Sequence, residues 1–268
     1  MYGMQKEMIH NGLPLSYETH GRGNTPLVLI HGLMETSDIW HSFIQQLPDT
    51  FRSISLNLPG HGKSAPVNGT CNMQSYARSI AAVLSEEKID KAFLVGHSMG
   101  GYAALAFAEY FPERLSALSL FHSSPFADSN EKKQKRTQVI RLIQEKKKEE
   151  VIRLHTKEVY AEDNREKFSK EIATSIQIAE QLPEKGITDS LTAMKNRKDR
   201  AHILRELSVP FLYILGKKDL FISLDIKNEN IFPTTYELVV LENSGHMGMI
   251  EEAEKSAAIF SDFQKKHL

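Results

Sequence analysis

Six short apolar runs constrain this chain more than any other feature: Leu27–Ile30, Ile54–Leu56, Ala92–Val95, Leu118–Phe121, Phe211–Leu215 and Leu238–Leu241. Each has strand length and is apolar on both faces, as buried parallel strands are. Most are separated by stretches with apolar residues at helical spacing, at 36–47, 72–88, 99–111 and 250–264. Strands alternating with helices require right-handed crossovers. The expectation is therefore an α/β fold, a mostly parallel sheet with helices on both faces. Ligands of such sheets bind beyond the carboxyl ends of the strands.

Two regions depart from this rhythm. At the start, Asn11-Gly12 sits between Met8-Ile9-His10 and Leu13–Tyr17, which predicts a hairpin closed by a tight primed turn. From Pro125 to Arg205 no run reads as a strand, and Lys, Glu, Gln, Ile and Leu recur at helical spacing. That segment carries 19 Lys and Arg against 14 Asp and Glu, a net +5, which leaves −6 for the rest of a chain whose total is −1. It reads as a helical cap inserted at 125–205 into a core made of 1–124 and 206–268. Its basic run Lys132-Lys133-Gln134-Lys135-Arg136 has the pattern of a solvated helix face, with an acidic partner as the sharper alternative.

A chain of 268 residues, 41% hydrophobic and 25% charged, can bury a full core beneath a soluble surface. A near-neutral charge gives no sign of nucleic-acid binding. The single cysteine, Cys71, cannot form an intramolecular disulfide and reads as a small packed residue. The first residues lack the apolar stretch of a signal peptide, and no run is long enough to cross a bilayer, so a cytoplasmic location is expected. Neither H-E-x-x-H, C-x-x-C nor a glycine-rich nucleotide loop occurs, and neither metal nor cofactor is expected.

The chemistry concentrates in three loops. Gly96-His97-Ser98-Met99-Gly100-Gly101 follows one apolar run and opens a helical one. Strand, sharp turn and helix is the context in which a G-x-S-x-G serine becomes an exposed nucleophile. Such a serine needs a base. His246, in Asn243-Ser244-Gly245-His246-Met247-Gly248, falls just after the last apolar run. The base in turn needs a carboxylate to fix its tautomer. Asp219 in Gly216-Lys217-Lys218-Asp219 is the first choice, Asp225 the second and Glu242 the third. For a developing oxyanion, the backbone N–H groups of Leu33 and Met99 are the expected donors, with Gly32 allowing close approach.

These blocks resemble the α/β-hydrolase fold family: His31-Gly32, Leu58-Pro59-Gly60-His61-Gly62-Lys63-Ser64, Gly96–Gly101, Gly216-x-x-Asp219 and Gly245-His246, in that order. The order serine, acid, histidine is also the family's. The resemblance implies an eight-stranded, mostly parallel sheet and a helical cap after the sixth strand. Asn57 departs from the pattern, since many relatives carry an acid there.

The remaining candidates divide between packing and pocket. His61 reads as loop packing, and His97 as pointing away from the cleft into the support of the turn. His122, with Ser123-Ser124, could touch substrate at the root of the insertion. Met34, Met99, Met247 and Met249 flank the site loops. Met34 and Met99 are expected to line an apolar acyl pocket, with Met247 a further candidate. The expected activity is hydrolysis of a small-molecule carboxylic ester or related acyl bond through an acyl-enzyme on Ser98. Carbon–carbon bond hydrolysis, thioester cleavage, a lyase reaction and non-catalytic ligand sensing share the same residues. Haloalkane dehalogenation is disfavoured, because it would require aspartate at Ser98. An acidic carrier bearing an acyl thioester is a further partner class.

Overall fold

The computed structural model describes Gly3 to Leu268. Its strands are β1 (Met4–His10), β2 (Leu13–His20), β3 (Thr25–Ile30), β4 (Phe51–Leu56), β5 (Ala92–His97), β6 (Leu115–Phe121), β7 (Phe211–Gly216) and β8 (Tyr236–Leu241). They form one eight-stranded sheet in the order β1-β2-β4-β3-β5-β6-β7-β8. Only the β1–β2 and β2–β4 pairings are antiparallel. All others are parallel. The mostly parallel eight-stranded α/β sheet expected from the sequence is the fold observed.

Each apolar run lies inside a strand, and alternate residues enter opposite layers. Leu27, Leu29, Phe93 and Val95 pack into one apolar cluster, whereas Val28, Ile30 and Leu94 pack into the other. This period-two division explains why the runs have no polar face. β8 is the exception: as an edge strand it is only half-buried over most of its length. The predicted hairpin forms, with positive φ at both Asn11 (52°) and Gly12 (75°), as a type I′ turn requires.

The helices are α1 (His41–Ile44), α2 (Met73–Glu86), α3 (Met99–Tyr110), α4 (Asn130–Gln144), α5 (Lys148–Glu158), α6 (Ser169–Gln181), α7 (Glu184–Lys195), α8 (Ala201–Arg205), α9 (Gly248–Glu251) and α10 (Ala253–His267). α4 to α8 all fall between β6 and β7, within the segment the sequence set apart. No helix among the described residues is long and apolar enough to cross a membrane.

Two helical expectations are interrupted in the structure. At 36–47 the chain instead makes a 3-10 turn over Ser37–Trp40 and the short α1. Tertiary bonds divert the start, where Ser37 N–H donates to Asn57 Oδ1 at 2.8 Å. At 250–264 the helix is split at Glu252, whose φ of −133° and ψ of 52° leave the helical region. The Glu252 carboxylate accepts from Asn243 N–H and Ser244 Oγ–H, which draws this residue back toward the loop after β8.

Candidate active site

The carboxyl ends of β3, β5, β7 and β8 converge at one edge of the sheet, and the predicted loops meet there. Ser98 joins β5 to α3 with φ 50° and ψ −115°, a strained conformation for a residue with a Cβ. Its surroundings enforce the turn. Ser98 N–H donates to Phe121 O at 3.0 Å, and Ser123 Oγ–H donates to Ser98 O at 2.7 Å. Tyr213 Oη–H holds Ser123 O at 2.7 Å. There is no room for larger neighbours: a Cβ at Gly100 would overlap Ile30 O, and one at Gly101 would overlap Ser123 Oγ. Ser98 itself remains only half-buried.

Among the three carboxylates considered for the histidine, Asp219 is the one that reaches it. His246 Nδ1–H donates to Asp219 Oδ2 at 2.8 Å. Asp219 Oδ1 accepts from Phe221 N–H at 2.7 Å and Ile222 N–H at 3.2 Å, so both oxygens are fixed. Burial opposes the charge on Asp219, but His246 and His122 outweigh it and hold the carboxyl well below its usual range. Asp225 is exposed and bonded to Ser223, and Glu242 is paired with Lys217. A proton on Nδ1 leaves His246 Nε2 as the free base. No hydrogen bond joins the Ser98 hydroxyl to His246 among the described residues. In sites of this kind that contact is commonly long until substrate binds.

His97 ties the three loops together. Nδ1 lies 2.9 Å from Glu35 Oε2 and Nε2 2.9 Å from His246 O. Both partners are acceptors, so both ring nitrogens donate and His97 is an imidazolium. Burial would lower its pKa, but the Glu35 carboxylate outweighs burial and raises it. Burial likewise works against Glu35, yet His97 brings that carboxyl down to about 2. Glu35 Oε2 also accepts from Gly32 N–H. One ion pair thus links the turn after β3, the serine turn and the histidine loop. Gly32 is needed at this crossing, since a Cβ there would sit 3.0 Å from His97 Nδ1 and 3.1 Å from Ser98 Cβ.

His122 lies behind the acid and is wholly buried. Its Nε2 accepts from Gly248 N–H at 3.2 Å, which leaves its proton on Nδ1, 3.4 Å from Asp219 Oδ2. At that separation the polar Nδ1–H faces the carboxylate without a well-aligned hydrogen bond. Burial lowers the His122 pKa to about 4, so it is neutral. His122, a candidate substrate contact from the sequence, is placed with its ring facing Asp219. Met34, Met99, Met247 and Met249 are likewise buried, in the two apolar clusters. His31 and His61 pack against each other at 4.8 Å, and His31 Nε2 accepts from Leu58 N–H at 3.0 Å. Asn57 is structural too: besides accepting from Ser37, it donates to Ser16 Oγ at 3.1 Å.

Sequence reasoning missed three groups. Glu35 and the His97 bridge are the first. The second is Glu251, a buried carboxylate that accepts from Gly245 N–H (2.9 Å), Met247 N–H (3.2 Å), Ala161 N–H (3.0 Å) and Asn164 Nδ2–H (2.7 Å). It fastens the histidine loop to the chain after α5, where His246 N–H also donates to Val159 O at 2.8 Å. The third is His155 of α5, half-buried against Phe221 at 5.6 Å, while Phe221 packs on His246 at 5.1 Å. Enclosure lowers the His155 pKa to about 4. Nothing in the local sequence marks these residues, because each acts across a long stretch of chain.

His122, Asp219 and His246 present donor atoms within 4.8 Å of one another, as do Glu18, His20 and His41. In the first set the carboxylate and both rings are already oriented by the contacts above. The arrangement can therefore move a proton between a serine hydroxyl and an imidazole beside free N–H groups at the start of α3.

The family model described as "alpha/beta hydrolase fold" matches residues 25–253. A 2-hydroxy-6-oxononadienedioate/2-hydroxy-6-oxononatrienedioate hydrolase of Paraburkholderia phymatum is 30% identical over 263 residues, covering 94% of this chain and 91% of the relative. A pimeloyl-[acyl-carrier protein] methyl ester esterase of Yersinia enterocolitica is 26% identical, with 92% of this chain and 95% of the relative covered. Among solved structures, a thermophilic esterase from Thermogutta terrifontis superposes with a TM-score of 0.90 at 24% identity, each chain covered in full. With the matched span taking in the serine turn, the acid and the histidine, this chain belongs to the α/β-hydrolase fold family and is a hydrolase of that fold.

Proposed function

We propose that the chain is a serine hydrolase that cleaves a carboxylic ester or related acyl bond through a covalent acyl-enzyme on Ser98. The observation that carries this reading is the Asp219–His246 bond at 2.8 Å, set beside a serine with φ 50°. In this account Ser98 Oγ attacks the carbonyl carbon as His246 Nε2 takes its proton. The Leu33 and Met99 N–H groups hold the oxyanion. Met99 is the first residue of α3, so its N–H has no partner within the helix. His246 then returns the proton to the leaving alcohol, and water repeats the cycle on the acyl-enzyme. Helices α4–α8 serve as a cap, and 1–124 with 206–268 as the core that carries the chemistry. His155 faces the acyl or alcohol group from the cap. His122 and His97 are positioning residues.

A second reading has one observation in its favour. The Paraburkholderia relative is named for hydrolysis of a 2-hydroxy-6-oxo dienedioate, which is carbon–carbon bond cleavage. The same serine, acid and histidine would serve. The Yersinia relative, an esterase acting on an acyl carrier protein, favours an ester and gives the exposed Lys132 and Lys133 of α4 a use as a carrier contact. The test is a panel of chromogenic acyl esters, thioesters and lactones, together with a 2-hydroxy-6-oxo dienoate. We expect ester turnover by wild type and none above background for Ser98→Ala. Turnover of the dienoate alone would transfer the assignment to carbon–carbon hydrolysis. Equal rates for both proteins would end it.

A further inference from the structure

A second constellation lies on another part of the fold and does not depend on the reading of Ser98. Glu18 and His20 alternate on β2, so both project from the same face of the sheet. His41 opens α1, which packs over that face. The three side chains aim single atoms at one point. Glu18 Oε2 lies 2.8 Å from His41 Nε2 and 3.3 Å from His20 Nε2, and all three atoms fall within 4.8 Å of one another. Glu18 and His20 side chains are each only 7% exposed.

Hydrogen bonding accounts for only part of this arrangement. His41 donates to Glu18 Oε2 at 2.8 Å. His20 Nε2, aimed at the same oxygen, is buried and without a hydrogen-bond partner among the described residues. A buried ring nitrogen with no partner is unusual. Packing also fixes that ring, because a Cβ at Gly3 would overlap it.

We propose that Glu18, His20 and His41 bind a divalent transition-metal ion of the zinc class. Two imidazoles and one carboxylate are a donor set such ions favour over calcium or magnesium. Bonds of about 2.0–2.1 Å in a tetrahedral site place neighbouring donors about 3.3 Å apart. The Glu18–His20 separation of 3.3 Å matches that value, and the Glu18–His41 separation of 2.8 Å falls short of it by about 0.5 Å. An outer contact is in place: Ser37 Oγ–H donates to Glu18 Oε1 at 3.3 Å, which orients the carboxylate. The fourth position is left to water. The ion has a way in, since the three residues line a cavity of about 480 Å³ with Gln5, Ile44 and Asp49 on its walls. A bound ion would pin α1 to β2.

The test uses the full chain stripped with a chelator, then titrated with zinc chloride by calorimetry and followed by thermal melting. Cobalt chloride provides a spectroscopic probe of coordination number. We expect a zinc site lost in His20→Ala and in Glu18→Gln, and weakened at least tenfold in His41→Ala, which alters a half-exposed side chain. At a hundredfold excess over Kd the wild-type melting temperature should rise by about 5 °C. The His122–Asp219–His246 cluster is the competing site, so every titration is repeated in His246→Ala. Zinc binding that survives His20→Ala and disappears in His246→Ala would overturn the proposal. Absence of any zinc-dependent shift in a folded wild-type protein would do so as well. Metal-free melting of each variant separates a lost site from a lost fold.

Discussion

The sheet core and the helical segment between β6 and β7 differ in how deeply their helices are buried. In α3, at the centre of the core, ten residues are buried, from Met99 to Ala108. In α4, at the start of the segment between β6 and β7, only Ile143 is. The core is held by apolar layers on both faces of a parallel sheet. The segment between β6 and β7 buries apolar residues of its own, among them Ile152, Ile172, Ile187, Leu191 and Met194, and adds buried ion pairs to them. Asp128 accepts from Arg136 Nε–H and from Arg197 Nη1–H at 2.6 Å, and Arg197 stacks over Tyr102 at 3.9 Å. Arg200 bonds Glu109 of α3 at 3.0 Å. A separate seam at Glu251 joins the cap to the histidine loop. The contrast teaches where each task resides. Groups that move protons sit on the close-packed part, where positions are fixed to a fraction of an ångström. In the proposed reaction, groups that meet the substrate sit partly on the segment between β6 and β7.

That contrast can be broken or sharpened by substitution. The largest effect is expected from Asp219→Asn, which keeps the shape but removes the charge that sets the His246 tautomer. In comparable triads that change costs about 10⁴-fold in kcat, and here the loss should be the same for every substrate. A loss that varied with acyl chain would place specificity in the core and blur the division. Next comes Glu251→Ala. It would leave four N–H donors without their acceptor, at a cost of about 3 kcal/mol or more in stability. Both the melting temperature and kcat should fall, because this seam serves both layers. A change in one alone would show the layers to be less coupled.

Acid should act through the buried histidines. Burial lowers His31 to about 4, His61 to about 3 and His122 to about 4, so all three are neutral when folded. The unfolded chain, with histidines near their ordinary 6.5, binds protons more readily. Stability from these groups is therefore complete above pH 6.5 and declines as pH falls from there toward 4, by at most about 1.4 kcal/mol per pH unit for each group. His97 has the opposite sign: its raised value contributes stability at lower pH that is lost as pH rises through that value. Melting temperatures between pH 7 and 5 should fall, and His61→Asn should flatten the slope. A smaller effect belongs to the cap face of the cleft. His155→Ala should shift the ratio of kcat/KM between short and long acyl esters by about tenfold, with melting temperature little changed. Smallest of all, Lys132→Glu on the exposed face of α4 should alter stability by less than about 0.5 kcal/mol.

Much of the core was legible in the sequence because it depends on local pattern. The six apolar runs all became strands, and Asn11-Gly12 became the turn its positive φ values allow. Gly96–Gly101 could be placed at a strand-to-helix turn because the flanking periods change there. What could not be read was set by distance along the chain. His97 meets Glu35 across 62 residues and His246 O across 149. Glu251 reaches Ala161 across 90. No periodicity encodes such contacts. The same reason explains His122: its place at the end of β6 was visible, but which neighbour its ring would face depended on where β7 delivered Asp219. Glu18 and His20 lie past the Leu13–Tyr17 run that the sequence marks, and the approach of His41 rests on the path of the turn after β3.

The account rests on one hydroxyl made nucleophilic by the histidine beside it. The most direct measurement is labelling of the intact protein with a fluorophosphonate, followed by peptide mass mapping and rates for wild type, His246→Ala and Ser98→Ala. A single adduct on Ser98, formed far more slowly in His246→Ala and not at all in Ser98→Ala, is the predicted result. An adduct on another residue, or a Ser98 adduct whose rate is indifferent to His246, would contradict it.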